Sequence, residues 1–140
     1  MTRTDRTRRV DPARADSYAE VGRRLLLAGR AILDGGDSRH ASGLAILAVH
    51  AGIAYADAVC ILRGGRKSAS ADHAAALRLL RAILGTRLPD GMARALQRLI
   101  AAKDRFEYEG MLVTMRDAAA AFEAAERFGA WAENVLAGAT

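Results

Sequence analysis

Apolar residues recur at three- and four-residue spacing along most of the chain, a periodicity that is typical of amphipathic helices. Short stretches rich in Gly, Pro, Ser and Asp interrupt the periodic segments, and such stretches are typical of connectors. The pattern therefore predicts an all-α fold, a five-helix up-and-down bundle with short connections. The predicted helices span roughly residues 13–33, 39–63, 71–84, 90–109 and 115–136.

The first predicted helix carries one clear apolar stripe, which we expect to face the core of the bundle. It is broken by two consecutive glycines, which suit the left-handed turn that ends many helices. The stripe consists of Tyr18, Val21, Leu25, Ala28 and Ile32.

The second predicted helix is apolar nearly all round, which is typical of a central helix covered by its neighbours. Two polar residues, His50 and Asp57, lie seven positions apart and therefore on roughly the same face. A buried imidazole and a buried carboxylate each need a partner. Either a neighbouring helix or loop satisfies each group structurally, or the two residues belong to a functional site.

Composition fits a soluble chain, with 51% hydrophobic and 26% charged residues, and a single cysteine excludes an internal disulfide. A reducing, cytoplasmic location is therefore expected. Residues 41–62 form the longest apolar run, but His50 and Asp57 interrupt it, so we expect a buried helix and no membrane span. No segment reads as a signal peptide.

The net charge of +5 permits binding to RNA, a nucleotide or an acidic partner. Residues 1–12 are basic and lack periodicity, which predicts a loosely attached arm ahead of a helical domain at 13–137. A second basic segment, residues 63–70, contains two glycines and Arg66. Arg66 could contact a phosphate, or the segment could be an exposed basic connector.

The end of the fourth predicted helix concentrates several kinds of functional group: Lys103, Asp104, Arg105 and Tyr108 fall within six residues. Lys103 continues the apolar stripe of its helix, so we expect it near the apolar seam. The cations and the tyrosine could bind a phosphate or an RNA backbone.

Histidine supplies a group that titrates near neutral pH, and His50 or His73 could provide it here. Metal and cofactor signatures are missing. One cysteine and three scattered histidines match no zinc-ligand spacing, and the chain has no P-loop, no Rossmann fingerprint and no nucleophile elbow. We therefore expect neither a metal nor a cofactor.

Four segments of the chain resemble the HEPN-domain family, small prokaryotic helical bundles, and the resemblance extends over about residues 13–137. It implies a homodimer and, for some members, a nucleotidyltransferase-like partner in toxin–antitoxin or defence systems. Ribonuclease members carry an Arg followed after four to six residues by a His, and cleave RNA without metal. The resembling segments are His50 to Ala58, Gly64 to Ser68, Asp72 to Leu80 and Lys103 to Tyr108.

This chain departs from that motif, since the matching positions read Lys103-x4-Tyr108, with Asp104 following the cation. Tyrosine has a reference pKa of about 10 and is a poor general base at neutral pH. Lysine lacks the bidentate fork of arginine. The expected function is binding of RNA, a nucleotide or a partner protein without efficient cleavage.

Two alternatives stay open. The chain could be an active metal-independent endoribonuclease in which His50 or His73 replaces the missing motif histidine. It could also be a purely structural interaction bundle. A second spacing, Arg66-x6-His73, fits the nominal motif, but it crosses a loop into the third helix, and we interpret it as chance.

Overall fold

The computed structural model describes residues 5–108 and 112–138, except for the side chains of Glu107 and Tyr108. Within this part the chain is mostly helical, with five α-helices, as the periodicity predicts, and a short two-stranded sheet. Three single 3₁₀ turns lie at Pro12–Arg14, Ser38–His40 and Gly85–Arg87. The elements are β1 (Thr7–Arg9), α1 (Ala15–Gly35), α2 (Ala41–Gly64), β2 (Arg66–Ser68), α3 (Ala74–Leu84), α4 (Asp90–Tyr108) and α5 (Met115–Leu136).

The apolar helix α2 is central, as predicted, and packs most extensively against α1 and α5 and less extensively against α3 and α4. The segment Ser38–Gly64 is long and apolar enough to cross a membrane by composition alone, but 78% of its most apolar window is buried inside the protein. The core helix of a soluble protein gives the same result, because it is covered by other helices.

The predicted stripe of α1 faces the core only in part. Tyr18 and Ile32 pack against the core, whereas Val21 is 52% exposed. The most deeply buried positions of α1 are instead small residues, among them Gly22 and Gly29. A Cβ on Gly22 would lie 2.7 Å from the ring of Tyr55, and one on Gly29 would lie 2.6 Å from the ring of Phe122. The prediction was wrong for the exposed members of the stripe, because close approach of α1 to aromatic rings selects small side chains over large apolar ones on the buried side.

Residues 7–9, predicted to belong to a loosely attached arm, form β1 and pair with β2 in antiparallel register. The pairing continues beyond the strands, since Val10 N donates to Gly65 O over 3.0 Å and Ala69 N donates to Arg6 O over 2.9 Å. Gly65 has a φ of +65°, which lets the chain leave α2 and enter β2 directly. The two basic segments, which are far apart in the sequence, therefore form one two-stranded antiparallel sheet. We call β1 and β2 together the ribbon.

The predicted helix-terminating signals are confirmed where the structure describes them. Gly36 follows α1 with a φ of +68°, and Gly65 follows α2. Thr114 Oγ1 accepts a hydrogen bond from Asp117 N over 3.1 Å and so caps the N-terminus of α5.

Candidate functional site

His50 lies on the exposed side of α2, so the expectation of a buried imidazole was wrong. Ile46, one helical turn earlier on α2, is also exposed at 44%. The ring of His73, the residue preceding α3, stands at 79° to that of His50, with centroids 6.2 Å apart. Two of the three histidines of the chain are thereby brought together, although 22 intervening residues separate them in the sequence.

Lys103 of α4 lines the same surface depression as His50, beside Val49 and Phe106. Its position beside these apolar residues confirms that Lys103 lies near the apolar seam of its helix. The depression measures about 10 Å³, too small for a ligand. A molecule bound here would therefore lie across the surface and touch both the imidazole and the ammonium groups. We call His50, His73 and Lys103 the histidine–lysine surface.

The other members of the predicted cluster do not join this surface. Successive α-helical residues point 100° apart, so Arg105 projects from a different side of α4 than Lys103. Its Nη2 atom lies 3.8 Å from Asp117 Oδ2 on α5, and its guanidinium stacks over Phe106 at 5.5 Å. Asp104 is exposed. Tyr108 is the last residue of α4, and the prediction for its side chain lies outside the described part.

Asp57 is buried beneath the ribbon, with 8% of its surface exposed. Lys67 Nζ, on β2, lies 3.5 Å from Asp57 Oδ2. Burial raises the pKa of Asp57 to about 6, and the charge of Lys67 opposes that rise. The sequence left open whether a neighbouring segment satisfies Asp57 structurally or whether Asp57 belongs to a functional site. The pairing with Lys67 of β2 fits structural satisfaction.

Tyr18 of α1, which is half-buried, extends this polar cluster from the buried Asp57 towards the surface. Arg8 Nη2 donates to the Tyr18 hydroxyl over 2.9 Å, and Lys67 Nζ lies 5.5 Å from the centroid of the Tyr18 ring. Sequence reasoning missed Arg8, Tyr18 and Lys67, because the pairing of β1 with β2 that assembles them leaves no local signal. We call Arg8, Tyr18, Asp57 and Lys67 the ribbon anchor.

The opposite face of the ribbon points away from the ribbon anchor and carries Thr7, Arg9 and Arg66. These residues line an open cleft of about 630 Å³ together with Gly65 and Asp11. Arg66, predicted as a phosphate contact, thus belongs to the ribbon, whereas His73 belongs to the histidine–lysine surface. That the Arg66-x6-His73 spacing arose by chance stays a prediction.

Metal and thiol chemistry find little support in the described residues. Between residues 5–108 and 112–138 no group of three or more His, Cys, Asp or Glu side chains is placed to hold a metal ion. Burial raises the pKa of the Cys60 thiol to about 12, so this thiol stays protonated at neutral pH.

Comparison with known proteins identifies no relative, since no family model, no curated protein and no solved structure matches the chain.

Proposed function

We propose that this chain is a HEPN-like helical bundle that binds single-stranded RNA across the histidine–lysine surface. The observation that carries the proposal is that His73, at the start of α3, and Lys103 of α4 each lie beside His50 on the exposed side of α2. A lysine ammonium contacts phosphate oxygens, and imidazole rings stack on or donate hydrogen bonds to unpaired bases. The net charge of +5 favours association with a polyanion.

The test compares two cations of α4 that the helix directs to different sides. Lys103→Ala removes a charge from the histidine–lysine surface, whereas Arg105→Ala removes one that faces Asp117 on α5. We expect Lys103→Ala to weaken binding of a single-stranded RNA about tenfold, the usual worth of a charge-assisted contact, and Arg105→Ala to change it less than about twofold. Equal losses in both variants would contradict the proposed location.

A second function, metal-independent RNA cleavage, is favoured specifically by the contact between the two histidines. Imidazoles are the usual general acids and bases at neutral pH. One could take the proton of a 2′-hydroxyl while the other protonates the 5′-oxygen leaving group, producing a 2′,3′-cyclic phosphate. Lys103 would stabilise the charge that develops on the phosphate.

Cleavage is tested by incubating the protein with mixed RNA in EDTA. Products ending in 2′,3′-cyclic phosphate, lost in His50→Ala and in His73→Ala, would establish the enzymatic function. Tyr108→Phe tests whether the tyrosine in the motif position contributes. Binding without cleavage would leave the binding function alone, and a clean negative for both would favour a structural interaction bundle.

We also propose that the chain forms a homodimer. The contact would use one flank of α1 together with the exposed side of α2 on which Ile46 and His50 lie. Arg23 and Arg30 pair with Glu133 and Glu126 of α5, so the flank carrying Val21 and Ala28 turns away from α5. Val21 is 52% exposed, and on α2 the exposed Ile46 neighbours His50. A symmetric contact there would bring two histidine–lysine surfaces close together.

Sedimentation analysis of two matched variants tests the dimer. Val21→Glu places a charge within the proposed contact, whereas Leu27→Glu places the same charge at a position that is 73% exposed on the α5 side. We expect the first variant to be monomeric and the second to remain dimeric. A nucleotidyltransferase-like partner and a cytoplasmic location stay predictions.

A further inference from the structure

We infer that the outward face of the ribbon, through Arg9 and Arg66, binds the phosphodiester backbone of the same RNA strand that crosses the histidine–lysine surface. The inference rests on the proposed RNA binding and extends its site along α2. Asp57, which lies beneath the ribbon, follows His50 by seven residues. The two regions are therefore about 10 Å apart along the axis of α2, a distance that a few nucleotides cover.

The strand register brings the two arginines together. Arg9 lies directly opposite Arg66. Hydrogen-bonded pairs alternate with non-hydrogen-bonded pairs in an antiparallel ladder, and the bonds at Val10–Gly65 and Arg6–Ala69 identify the hydrogen-bonded positions. Arg9 and Arg66 consequently form a non-hydrogen-bonded pair, the kind in which opposing side chains lie closest.

Like charges directly opposite each other destabilise a strand pair. The two cationic pairs of the ribbon differ in whether a nearby polar group compensates their charge. The inward pair, Arg8 and Lys67, is compensated by the hydroxyl of Tyr18 and the carboxylate of Asp57. For the outward pair, no ion pair joins either guanidinium to a carboxylate among the side chains that the structure describes. An anion from outside the chain would supply the compensation.

The surroundings of the outward pair suit an extended polyanion better than a small enclosed ligand. Residues 5–14 and 63–67 contain seven Lys or Arg against two Asp, so much of the positive charge of the chain collects here. The cleft is open, and the hydroxyl of Thr7 lines it beside the arginines. Asp11 also lines it, but Asp11 Oδ1 accepts a hydrogen bond from Ala13 N over 2.9 Å.

The experiment measures the affinity of the full chain for an oligouridylate at several salt concentrations. Each phosphate contact contributes about 0.7 to the slope of log affinity against log salt for a single strand. We expect Arg9→Gln and Arg66→Gln each to lower the slope by about that amount, and Arg9→Lys and Arg66→Lys to keep it. The control is Arg94→Gln, which removes an exposed arginine of α4 outside the cleft and should leave the slope unchanged.

The outcomes separate the two surfaces. An unchanged slope in both ribbon variants, with weaker binding in Lys103→Ala, would overturn the ribbon contact and leave the histidine–lysine surface intact. A lowered slope in the ribbon variants, with no effect of Lys103→Ala, would support the ribbon and contradict the proposed site. Amide shifts of unmodified protein at Arg9 and Gly65 on adding the oligouridylate would support the contact without any variant, and their absence would overturn it. An oligothymidylate that gives the same slope supports recognition of the backbone.

Discussion

The histidine–lysine surface and the ribbon anchor lie on the same face of α2, but they hold their polar groups in different ways. In the ribbon anchor each polar group has a partner from a neighbouring element, and Asp57 is 8% exposed. On the histidine–lysine surface, His50 is exposed beside the ring of His73. We therefore expect the first cluster to contribute to the stability of the fold, and we propose that the second contacts a ligand.

The largest expected difference between the regions concerns the pH dependence of stability, measured as the free energy of unfolding. The pKa of Asp57 is about 6 in the folded chain and near 3.8 when unfolded. Between these values the folded state holds the extra proton, so the contribution of Asp57 is greatest below about pH 4 and is lost as the pH rises through 6. The loss amounts to about 3 kcal/mol.

Denaturant titrations of the unmodified chain and of Asp57→Asn, from pH 4 to pH 7, measure that loss as the change in the difference between the two proteins. Asp104→Asn, at an exposed carboxylate of α4, is the matched control and should show little change. A difference between Asp57→Asn and the unmodified chain that stays constant with pH would contradict the burial of Asp57.

The next effect concerns the two lysines. Lys67→Met leaves the buried carboxylate of Asp57 without its cation, and we expect a loss of about 2 kcal/mol of stability at pH 7. The loss should be much smaller at pH 5, where Asp57 is mostly protonated. Lys103→Met makes the same chemical change on the histidine–lysine surface and should cost less than about 0.5 kcal/mol. Similar losses from the two substitutions would remove the distinction between the regions.

A smaller effect is expected at the hydroxyl of Tyr18. Tyr18→Phe removes the acceptor of the Arg8 hydrogen bond, at a cost of about 1 kcal/mol. Because Arg8→Gln removes the same bond from the other side, the double variant should be less destabilised than the sum of the single variants. Additive losses would show that the bond contributes nothing to stability.

The smallest effect has the opposite sign and concerns the outward face of the ribbon. Arg66→Gln relieves the repulsion with Arg9, so at low salt we expect a gain of about 0.5 kcal/mol in the absence of RNA. High salt screens the repulsion and should abolish the gain. If Arg66→Gln instead lowered the free energy of unfolding, Arg66 would make a stabilising contact in the folded chain.

The sequence predicts the helices well, because helical periodicity and end signals are local. The glycines that end α1 lie where the pattern predicts them, and a glycine with positive φ likewise follows α2. The core side of α1 could not be predicted in the same way, since Gly22 and Gly29 face the interior for reasons of space that only the packed neighbours Tyr55 and Phe122 reveal.

In the candidate site, too, features set by local geometry could be predicted and features set by non-local contacts could not. The position of Lys103 near the apolar seam follows from the stripe of its own helix. The different direction of Arg105 follows from the 100° rotation between successive helical residues. The meeting of His50 with His73 and the pairing of Arg8 with Lys67 depend on non-local contacts. Nothing in the spacing of these residues indicates such contacts.

The most direct test of the proposed RNA surface uses the three histidines of the chain as reporters. Side-chain imidazole resonances are recorded by NMR while a single-stranded RNA is added. His50 and His73 should shift together, whereas His40, which lies before α2 next to Asp37, should not. RNA binding that leaves His50 and His73 unshifted, or that shifts His40 equally, would contradict the account.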